Sequence, residues 1–359
     1  MRYHVLLPSL LTLGAFGLVA CGEETTQPNT AEDRPDASQL AVTSNTWLTR
    51  RDMPLELIDQ ATAVAPNAAG KSILYAIGGA KASSRLPGAP IPVGEVRAYN
   101  VATNIWSIKR DMPAARYDIN AGVVNGKIYV PGGFTSEQTA ETGRHPRPTA
   151  SLFVYDIASD TWTRKRDMPA PGGGGATGVI GGKLYVVTFG SYSLDPPVYF
   201  FRYNPTTDSW TTLPSPTNYS NVDGQNGGVI NKKLYLLGHA QSSDQSAILE
   251  YDPITNQWTQ KRAWSSQSCL PDFGCNLEGP MVVMLEHLYV FGGELSYGFS
   301  PGIFIYDPIS DTWESKPLLT TFGYWALYGP RAARVFLNGQ PRVEVIGGYR
   351  PGNNQQYIP

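Results

Sequence analysis

The chain has 359 residues, with 28 basic and 30 acidic side chains and a net charge of -2. No basic stripe accompanies this balance, which argues against nucleic acid as a partner. Charged residues make up only 16%, while 37 glycines, 29 prolines and 11% aromatic residues predict many short strands and turns rather than helices.

The amino terminus has the pattern of an export signal. Arg2 precedes an apolar run over residues 5–20, which is shorter than the roughly 20 residues of a transmembrane helix. The run ends in "LVAC" (residues 18–21), which resembles the lipobox of bacterial lipoproteins. The resemblance implies a lipidated Cys21, and Gly22 in place of Asp favours the outer membrane. An ordinary signal peptide with a chance cysteine is the alternative.

The next segment predicts a disordered tether. Residues 23–41 contain five acids and two prolines but no aromatic residue, so they cannot bury enough apolar surface to offset the entropy of ordering. We therefore expect a signal peptide at residues 1–20, a tether at residues 21–44 and a folded domain at residues 45–359.

Two further cysteines, Cys269 and Cys275, lie six positions apart. Outside the cytoplasm, such a pair can close a small loop as a disulfide. Their spacing fits no common zinc site and no histidine lies nearby in sequence, so we expect no metal. Two free thiols are the alternative.

The folded region consists of repeats. Six tryptophans recur at intervals of 48 to 59 residues, and in five units a tyrosine stands seven positions earlier, as in "YDIASDTW" and "YDPISDTW". Each unit also contains a run rich in β-formers that ends in glycine, such as "KIYVPGG" and "HLYVFGG". Three units continue from the tryptophan to the same phrase, RDMP, at residues 51–54, 110–113 and 166–169. A repeat of about 50 residues indicates one supersecondary unit per repeat.

Glycine pair, tyrosine and tryptophan in this order resemble the kelch repeat. The resemblance covers residues 45–359 and implies an all-β fold, a six-bladed kelch-type β-propeller with four strands per blade. The carboxy terminus supplies only three strands of the last blade, so we expect the strand around Trp47 to complete it. Tyrosines and tryptophans would fill the wedges between blades, and RDMP would be an exposed turn that ends the outer strand.

One face of such a propeller carries its longer loops, where function concentrates. The loop at residues 316–330 is rich in aromatic residues, a composition suited to binding sugars or peptides. Kelch repeats often have a structural arginine, and we assign Arg116 and Arg331 to that position. The candidate ligand-binding residues on this face are Arg116, Tyr117, Asp118, Tyr192, Asp223, Gln225, Asn226, His239, Glu278, Glu294, Tyr297, Tyr324, Trp325, Tyr328, Arg331 and Arg350.

Most enzyme chemistries of related folds do not fit the residues. The histidines and cysteines are too few for a galactose-oxidase copper site, and the full sialidase box is missing. We therefore expect a lipid-anchored module that binds a protein or glycan at the cell envelope, without a cofactor and with membrane contact only through the anchor. The alternative is an exported enzyme that resembles kelch-type N-acetylneuraminate epimerases, in which Glu278 or Glu294 works beside Arg116 or Arg331.

Overall fold

The structure, a computed structural model, describes residues 45–81, 91–135, 146–190, 197–216, 227–239, 246–264, 275–277, 279–292, 294–295, 298–299, 302–317, 329–348 and 354–359. The expected signal peptide, tether and Cys21 lie outside these residues. No described residue is helical, so the all-β class is confirmed. Accordingly, this part of the chain contains no helix with the length and hydropathy needed to cross a bilayer.

Short strands follow one another along the described chain. In chain order they are β1 (Thr46–Thr49), β2 (Leu57–Ile58), β3 (Ala61–Pro66), β4 (Ser72–Ile77), β5 (Ala80–Lys81), β6 (Ile91–Pro92), β7 (Val96–Asn100), β8 (Ile105–Lys109), β9 (Gly122–Val124), β10 (Lys127–Pro131), β11 (Phe134–Thr135), β12 (Arg147–Pro148), β13 (Leu152–Asp156), β14 (Thr161–Lys165), β15 (Gly173–Ile180), β16 (Lys183–Phe189), β17 (Val198–Asn204), β18 (Ser209–Leu213), β19 (Gly227–Ile230), β20 (Lys233–His239), β21 (Ser246–Asp252), β22 (Gln257–Ala263), β23 (Cys275–Asn276), β24 (Met281–Met284), β25 (His287–Phe291), β26 (Glu294–Leu295), β27 (Gly298–Phe299), β28 (Gly302–Asp307), β29 (Thr312–Pro317), β30 (Pro330–Leu337), β31 (Gln340–Gly347) and β32 (Asn354–Ile358).

Most of these strands form four-stranded antiparallel sheets, which we number in chain order. From first to fourth strand they are sheet 1 (β3, β4, β7, β8), sheet 2 (β9, β10, β13, β14), sheet 3 (β15, β16, β17, β18), sheet 4 (β19, β20, β21, β22), sheet 5 (β24, β25, β28, β29) and sheet 6 (β30, β31, β32, β1). Sheet 6 joins the two ends of the domain, because β1 pairs with β32 and places Trp47 opposite Tyr357.

The first strands of the sheets contact one another in cyclic order. Strand β9 contacts β3 and β15, and β19 contacts β15 and β24. Strand β30 then contacts both β24 and β3, so sheet 6 lies beside sheet 1. The buried apolar clusters accordingly combine residues of adjacent sheets.

The repeated tyrosine and tryptophan are packing residues, as the sequence predicts. In sheet 2, Tyr155 is fully buried and its ring centroid lies 5.0 Å from that of Trp162 on the next strand. Tyr75 of sheet 1 approaches the same tyrosine at 6.1 Å. The Tyr155 hydroxyl donates a 2.6 Å hydrogen bond to Asp160, which lowers the pKa of that carboxyl. Large rings with a polar end thus fill the wedge between sheets and anchor the turn before the fourth strand.

A second repeated contact, which we call the clasp, links the fourth strand of one sheet to the next sheet. In the clasp, an indole N–H donates to a backbone carbonyl at the end of the preceding fourth strand or just beyond it, at 2.8 to 2.9 Å. The pairs are Trp106 with Arg51, Trp162 with Arg110, Trp210 with Arg166, Trp258 with Pro214 and Trp313 with Arg262. Between sheets 5 and 6, the Asn45 side-chain amide donates to the Pro317 carbonyl at 3.2 Å.

The clasp explains the repeated RDMP phrase. The arginine of the phrase supplies the carbonyl that accepts from the indole. The backbone N–H of the same arginine donates to the side chain of an Asn or Asp in the next sheet's turn, as Arg110 does to Asp160 at 2.9 Å. The arginine and aspartate are exposed, as expected for a turn, but Arg110 Nε also donates to the Asp160 carbonyl. The methionine of the phrase is buried. RDMP is therefore a connector between sheets as well as a solvated turn.

Candidate functional site

One end of the sheets carries the longer connections, and we call this end the loop face. In sheet 1, strands β5 and β6 continue the hairpin of the second and third strands, and β5 also pairs with β2. In sheet 5, β26 and β27 form the corresponding hairpin, and β26 also pairs with β23. In sheet 2, the corresponding hairpin is β11–β12, and a single β-bridge between Tyr117 and Phe134 joins it to the segment that precedes β9. The loop face thus has small sheets of its own above the main ones.

The centre of the loop face is lined by residues in the left-handed conformation, one at the start of the first strand, or shortly before it, in each of four sheets. They are Gly329, Asp59, Asp118 and Gly174, with φ between 51° and 68°. Backbone N–H groups join them in sequence: Asp59 to the Gly329 carbonyl at 3.4 Å, Asp118 to Asp59 at 2.9 Å, and Gly174 to Asp118 at 2.7 Å. Glycine and aspartate tolerate this conformation better than most residues. We call this chain of four residues the collar.

The collar brings together carboxylates and polar groups. Arg331 donates to Asp59 Oδ1 at 2.9 Å and, through Nε, to the Gln60 carbonyl at 3.0 Å, which ties sheet 6 to sheet 1. Asn120 donates to the carbonyls of Gly174 and Gly175, which ties sheet 2 to sheet 3. Asp59 and Asp118 are only partly buried. Two acidic side chains therefore lie at the centre of the loop face, on a backbone fixed by neighbouring sheets.

Arg116 is an interior residue. Its guanidinium donates to the Gly132 carbonyl at 2.7 Å, to the Ser151 carbonyl at 3.0 Å and to the Ser151 hydroxyl at 2.6 Å, and lies 4.5 Å from the Phe153 ring centroid. Burial lowers its pKa to about 10. Arg116 thus holds the ends of the second and third strands of sheet 2 together.

Tyr117 is a packing residue, and Arg331 differs from Arg116 in its position relative to the collar. Tyr117 is buried against Phe134, with ring centroids 6.1 Å apart, and so supports the base of a small sheet. Arg116 and Arg331 do not occupy equivalent positions, since Arg116 precedes its collar residue, Asp118, by two positions, whereas Arg331 follows Gly329 by two.

The structure brings Arg116, Tyr117, Asp118 and Arg331 to the loop face. His239 and Glu294 lie at this end in strands β20 and β26, and Cys275 lies in β23. The remaining candidates lie outside the described residues: Tyr192, Asp223, Gln225, Asn226, Glu278, Tyr297, Tyr324, Trp325, Tyr328 and Arg350, together with Cys269 of the expected disulfide. Within the described ranges, no group of three or more His, Cys, Asp or Glu is placed to hold a metal ion.

A buried polar junction between sheets 6 and 1 was not anticipated from the sequence. Glu344 in β31 is fully buried and accepts a 2.6 Å hydrogen bond from Gln356 Nε2. Burial raises the pKa of Glu344 to about 7, while Gln356 and the nearby charge of Arg50 lower it in part. Arg50 Nε donates to the Tyr99 hydroxyl at 3.1 Å across the same junction.

The repeat itself contains the signal for this junction. Glu344 stands beside the residue paired with the third-strand tyrosine, a position that holds tyrosine in the other five sheets. Those residues are Tyr75, Tyr129, Tyr185, Tyr235 and Tyr289. Comparison of "VEV" with "LYA" or "IYV" would have identified the departure. At the equivalent position of sheet 1, Tyr75 packs near Tyr155 of the next sheet. Glu344 instead lies near Tyr99 of sheet 1. The pKa of the Tyr99 phenol is raised mainly by burial and in addition by the charge of Glu344.

Comparison with known proteins agrees with the repeat. The family model described as "Kelch motif" matches residues 115–169 and 279–317. The chain contains kelch motifs. The first match spans sheet 2 and the beginning of the connection to sheet 3, and the second spans sheet 5. Each matched kelch unit therefore coincides with one four-stranded sheet.

Several kelch proteins are similar in sequence. "Kelch-like protein terF" of Aspergillus terreus is 33% identical over 174 residues, covering 45% of this chain and 37% of that protein. "Kelch-like protein 15" of Mus musculus is 28% identical over 233 residues, covering 58% and 36%. "Alpha-scruin" of Limulus polyphemus is 29% identical over 244 residues, covering 64% and 24%. The chain thus spans between a quarter and two-fifths of the length of these relatives.

A solved structure shares the fold. The chain described as "Structure of YjhT" superposes with a TM-score of 0.58 at 15% identity. The match covers 86% of this chain and 95% of that one. The likeness therefore includes most of the kelch sheets and shows the fold alone.

Proposed function

We propose that the chain forms a closed six-bladed kelch propeller that binds a protein partner through its loop face. The clasp carries this proposal. It links five of the six neighbouring pairs of sheets, including sheet 6 to sheet 1 through Trp106 and Arg51, and the Asn45 amide joins sheets 5 and 6. A ring tied in this way is rigid, and rigid scaffolds hold the loops of a binding face at low entropic cost.

The loop face has the character of an interaction surface. The partly buried carboxylates of Asp59 and Asp118 lie at its centre, where the collar fixes their backbone. From the sequence, we expect the aromatic residues Tyr324, Trp325 and Tyr328 on this face as well. Aromatic anchors beside fixed polar groups are typical of protein-binding hot spots.

The test uses the purified full chain as bait, with partners identified by mass spectrometry and affinity measured for the identified partner. Trp325→Ala and Asp118→Asn should each weaken that affinity at least tenfold. Ile254→Ala is the matched control, because this exposed isoleucine lies in a turn at the opposite end of sheet 4. Equal affinity of all variants would move the binding site away from the loop face.

A glycan ligand and an enzymatic role are the alternatives from the sequence. A glycan array with the same variants tests the first alternative. Specific glycan binding that is lost in Trp325→Ala would identify a glycan, rather than a protein, as the ligand of the loop face. The epimerase-like reading requires Glu278 or Glu294 to act on a bound sugar. Proton exchange on N-acetylneuraminate that is abolished by Glu278→Gln or Glu294→Gln would favour it.

We further propose that the protein is exported and lipid-anchored through Cys21 at the bacterial outer membrane. The support is the apolar run that ends in "LVAC" and the acidic, proline-containing segment that follows it. In bacteria supplied with labelled palmitate, the chain should take up label and fractionate with the outer membrane. Cys21→Ala should lose both. An unlabelled wild-type chain would refute the anchor and leave the propeller proposal untouched.

A further inference from the structure

The first strands of the six sheets carry an aliphatic ring with one exception. At equivalent positions, each paired with a leucine, isoleucine or valine of the second strand, five sheets have valine and the sixth has arginine. These residues are Val64, Val123, Val179, Val229, Val283 and Arg334. Arginine therefore departs from the repeat at a position where the other five sheets have an aliphatic packing residue.

The ring lies in the seams between adjacent first strands. A Cβ added to Gly122 would lie 3.0 Å from Val179 of the next sheet, and one added to Gly178 would lie 2.8 Å from Val229. Each of these valines therefore packs on a residue without a side chain in the preceding sheet. In the seam before Arg334 the corresponding residue is Val282, which is buried. That larger residue takes up space that a glycine leaves to its neighbour.

The Arg334 side chain is both accessible and desolvated. It is exposed to solvent, yet the surrounding protein lowers the pKa of its guanidinium, a shift opposed by the charge of Glu286. On a first strand of the proposed closed ring, this side chain lies at the wall of the central channel, near the turns between first and second strands.

The neighbours of Arg334 leave its charge available. The guanidinium carbon lies 5.4 Å from the centroid of the Phe336 ring, which is 41% exposed. Glu286, in the turn of sheet 5, is exposed and acts on it only at longer range. In the part of the chain that the structure describes, Arg334 makes neither a hydrogen bond nor an ion pair. A planar donor beside an aromatic face and an aliphatic ring suits an anion with an apolar body.

We propose that the turn-side end of the central channel binds a small organic carboxylate at Arg334. The guanidinium pairs with the carboxylate in the bidentate manner, while Phe336 and the valine ring contact the apolar part of the ligand. The inference rests on the closed propeller proposed above, but it concerns the end of the ring opposite the loop face. A free aryl or alkyl acid and the carboxyl terminus of a peptide share this chemistry.

The test is a titration of the full chain with benzoate, with binding measured by isothermal titration calorimetry. Benzamide has the same ring without the charge and should bind at least tenfold more weakly. Arg334→Val restores the sixth valine of the ring and should lose about ten- to a hundredfold in benzoate affinity. Arg164→Gln is the matched control, because it removes one positive charge from an exposed pair with Asp167 on a fourth strand. This control should bind benzoate as the wild type does.

Two peptides ending in phenylalanine, one with a free carboxylate and one amidated, separate the two sources of ligand. Tighter binding of the free peptide than of benzoate would assign the site to a peptide terminus, and the reverse to a small acid. Absence of saturable benzoate binding to the wild type, or equal binding to Arg334→Val, would overturn the proposal. Arg334→Val should keep its affinity for a loop-face partner, so failure here is distinct from failure of the proposed function.

Discussion

Replacing Glu344 with glutamine should change how stability depends on pH. The carboxyl lies between Gln356 on its own sheet and Tyr99 of sheet 1, and Arg50 is the charged group whose field reaches it. Its pKa is about 7 in the folded chain, against 4.5 for an ordinary glutamic acid. Because the folded pKa is the higher one, the folded state binds the proton more tightly than the unfolded state does.

The size of the effect follows from these two values. Stability from the protonated carboxyl is fully present below about pH 4.5 and is lost as the pH rises through about 7, with a total near 3 kcal/mol. Glutamine keeps an oxygen that accepts from Gln356 but cannot ionise. We therefore expect Glu344→Gln to be about 2–3 kcal/mol more stable than the wild type at about pH 8, and close to it at about pH 5.

The assay is urea unfolding followed by tryptophan fluorescence at several pH values between these two. The aspartates of the turns, such as Asp160 under Tyr155, have lowered pKa values, so their contribution to stability is lost only at more acidic pH. Glu314→Gln is the control, because that carboxylate is exposed on a fourth strand. If the wild type and Glu344→Gln lose stability in parallel between about pH 5 and pH 8, the carboxyl is not the cause.

Three other substitutions test the packing. Trp47→Ala should lower the free energy of unfolding by about 2–4 kcal/mol, because it empties the outer wedge of sheet 6, whereas Leu48→Ala, at an exposed position of the same strand, should change it by less than about 0.5 kcal/mol. Arg116→Leu should cost about 2–4 kcal/mol because it leaves buried carbonyls without donors. Gln60→Ile should stabilise by about 1–2 kcal/mol, since the amide is buried without partners where sheet 2 has Ile119.

Denaturant unfolding measures all three, and each has its own contrary result. Equal effects of Trp47→Ala and Leu48→Ala would mean that the outer strand of sheet 6 contributes little to its wedge. An Arg116→Leu chain of wild-type stability would free that residue for a ligand role. A destabilised Gln60→Ile chain would show that the buried amide has a partner that an aliphatic side chain cannot replace.

The repeats made much of the fold predictable. Tyrosine, tryptophan and glycine recur at fixed offsets, so the strands that carry them could be placed, and the structure puts Tyr155 beside Trp162 as expected. A glycine such as Gly79 stands where a Cβ would come within 2.7 Å of the Ile58 carbonyl, which only a residue without a side chain permits. Such positions are specified locally, by one residue type in one place.

The candidate site was less accessible to the same reasoning. Arg116 and Arg331 were both assigned to the arginine position of the kelch repeat, but their places relative to the collar differ by four residues, and this depends on backbone turns that no repeat encodes. The collar itself follows from left-handed residues such as Asp118, whose conformation the side chain permits but does not dictate. Glu344 and Arg334 stand where the other units have tyrosine and valine, so the features that the units share do not indicate either residue.

The pairing of β1 with β32 has a consequence for how the chain folds. Trp47 lies 310 positions before its partner Tyr357 in the sequence, so β1 has no partner strand until the segment that contains β32 has been synthesised. Five sheets can assemble from nearby segments, but the sixth is completed only once β32 is available, because contacts between distant segments form late and slowly. A prematurely terminated chain would therefore present two bare strand edges to other molecules, and quality-control proteases should distinguish it from the finished protein.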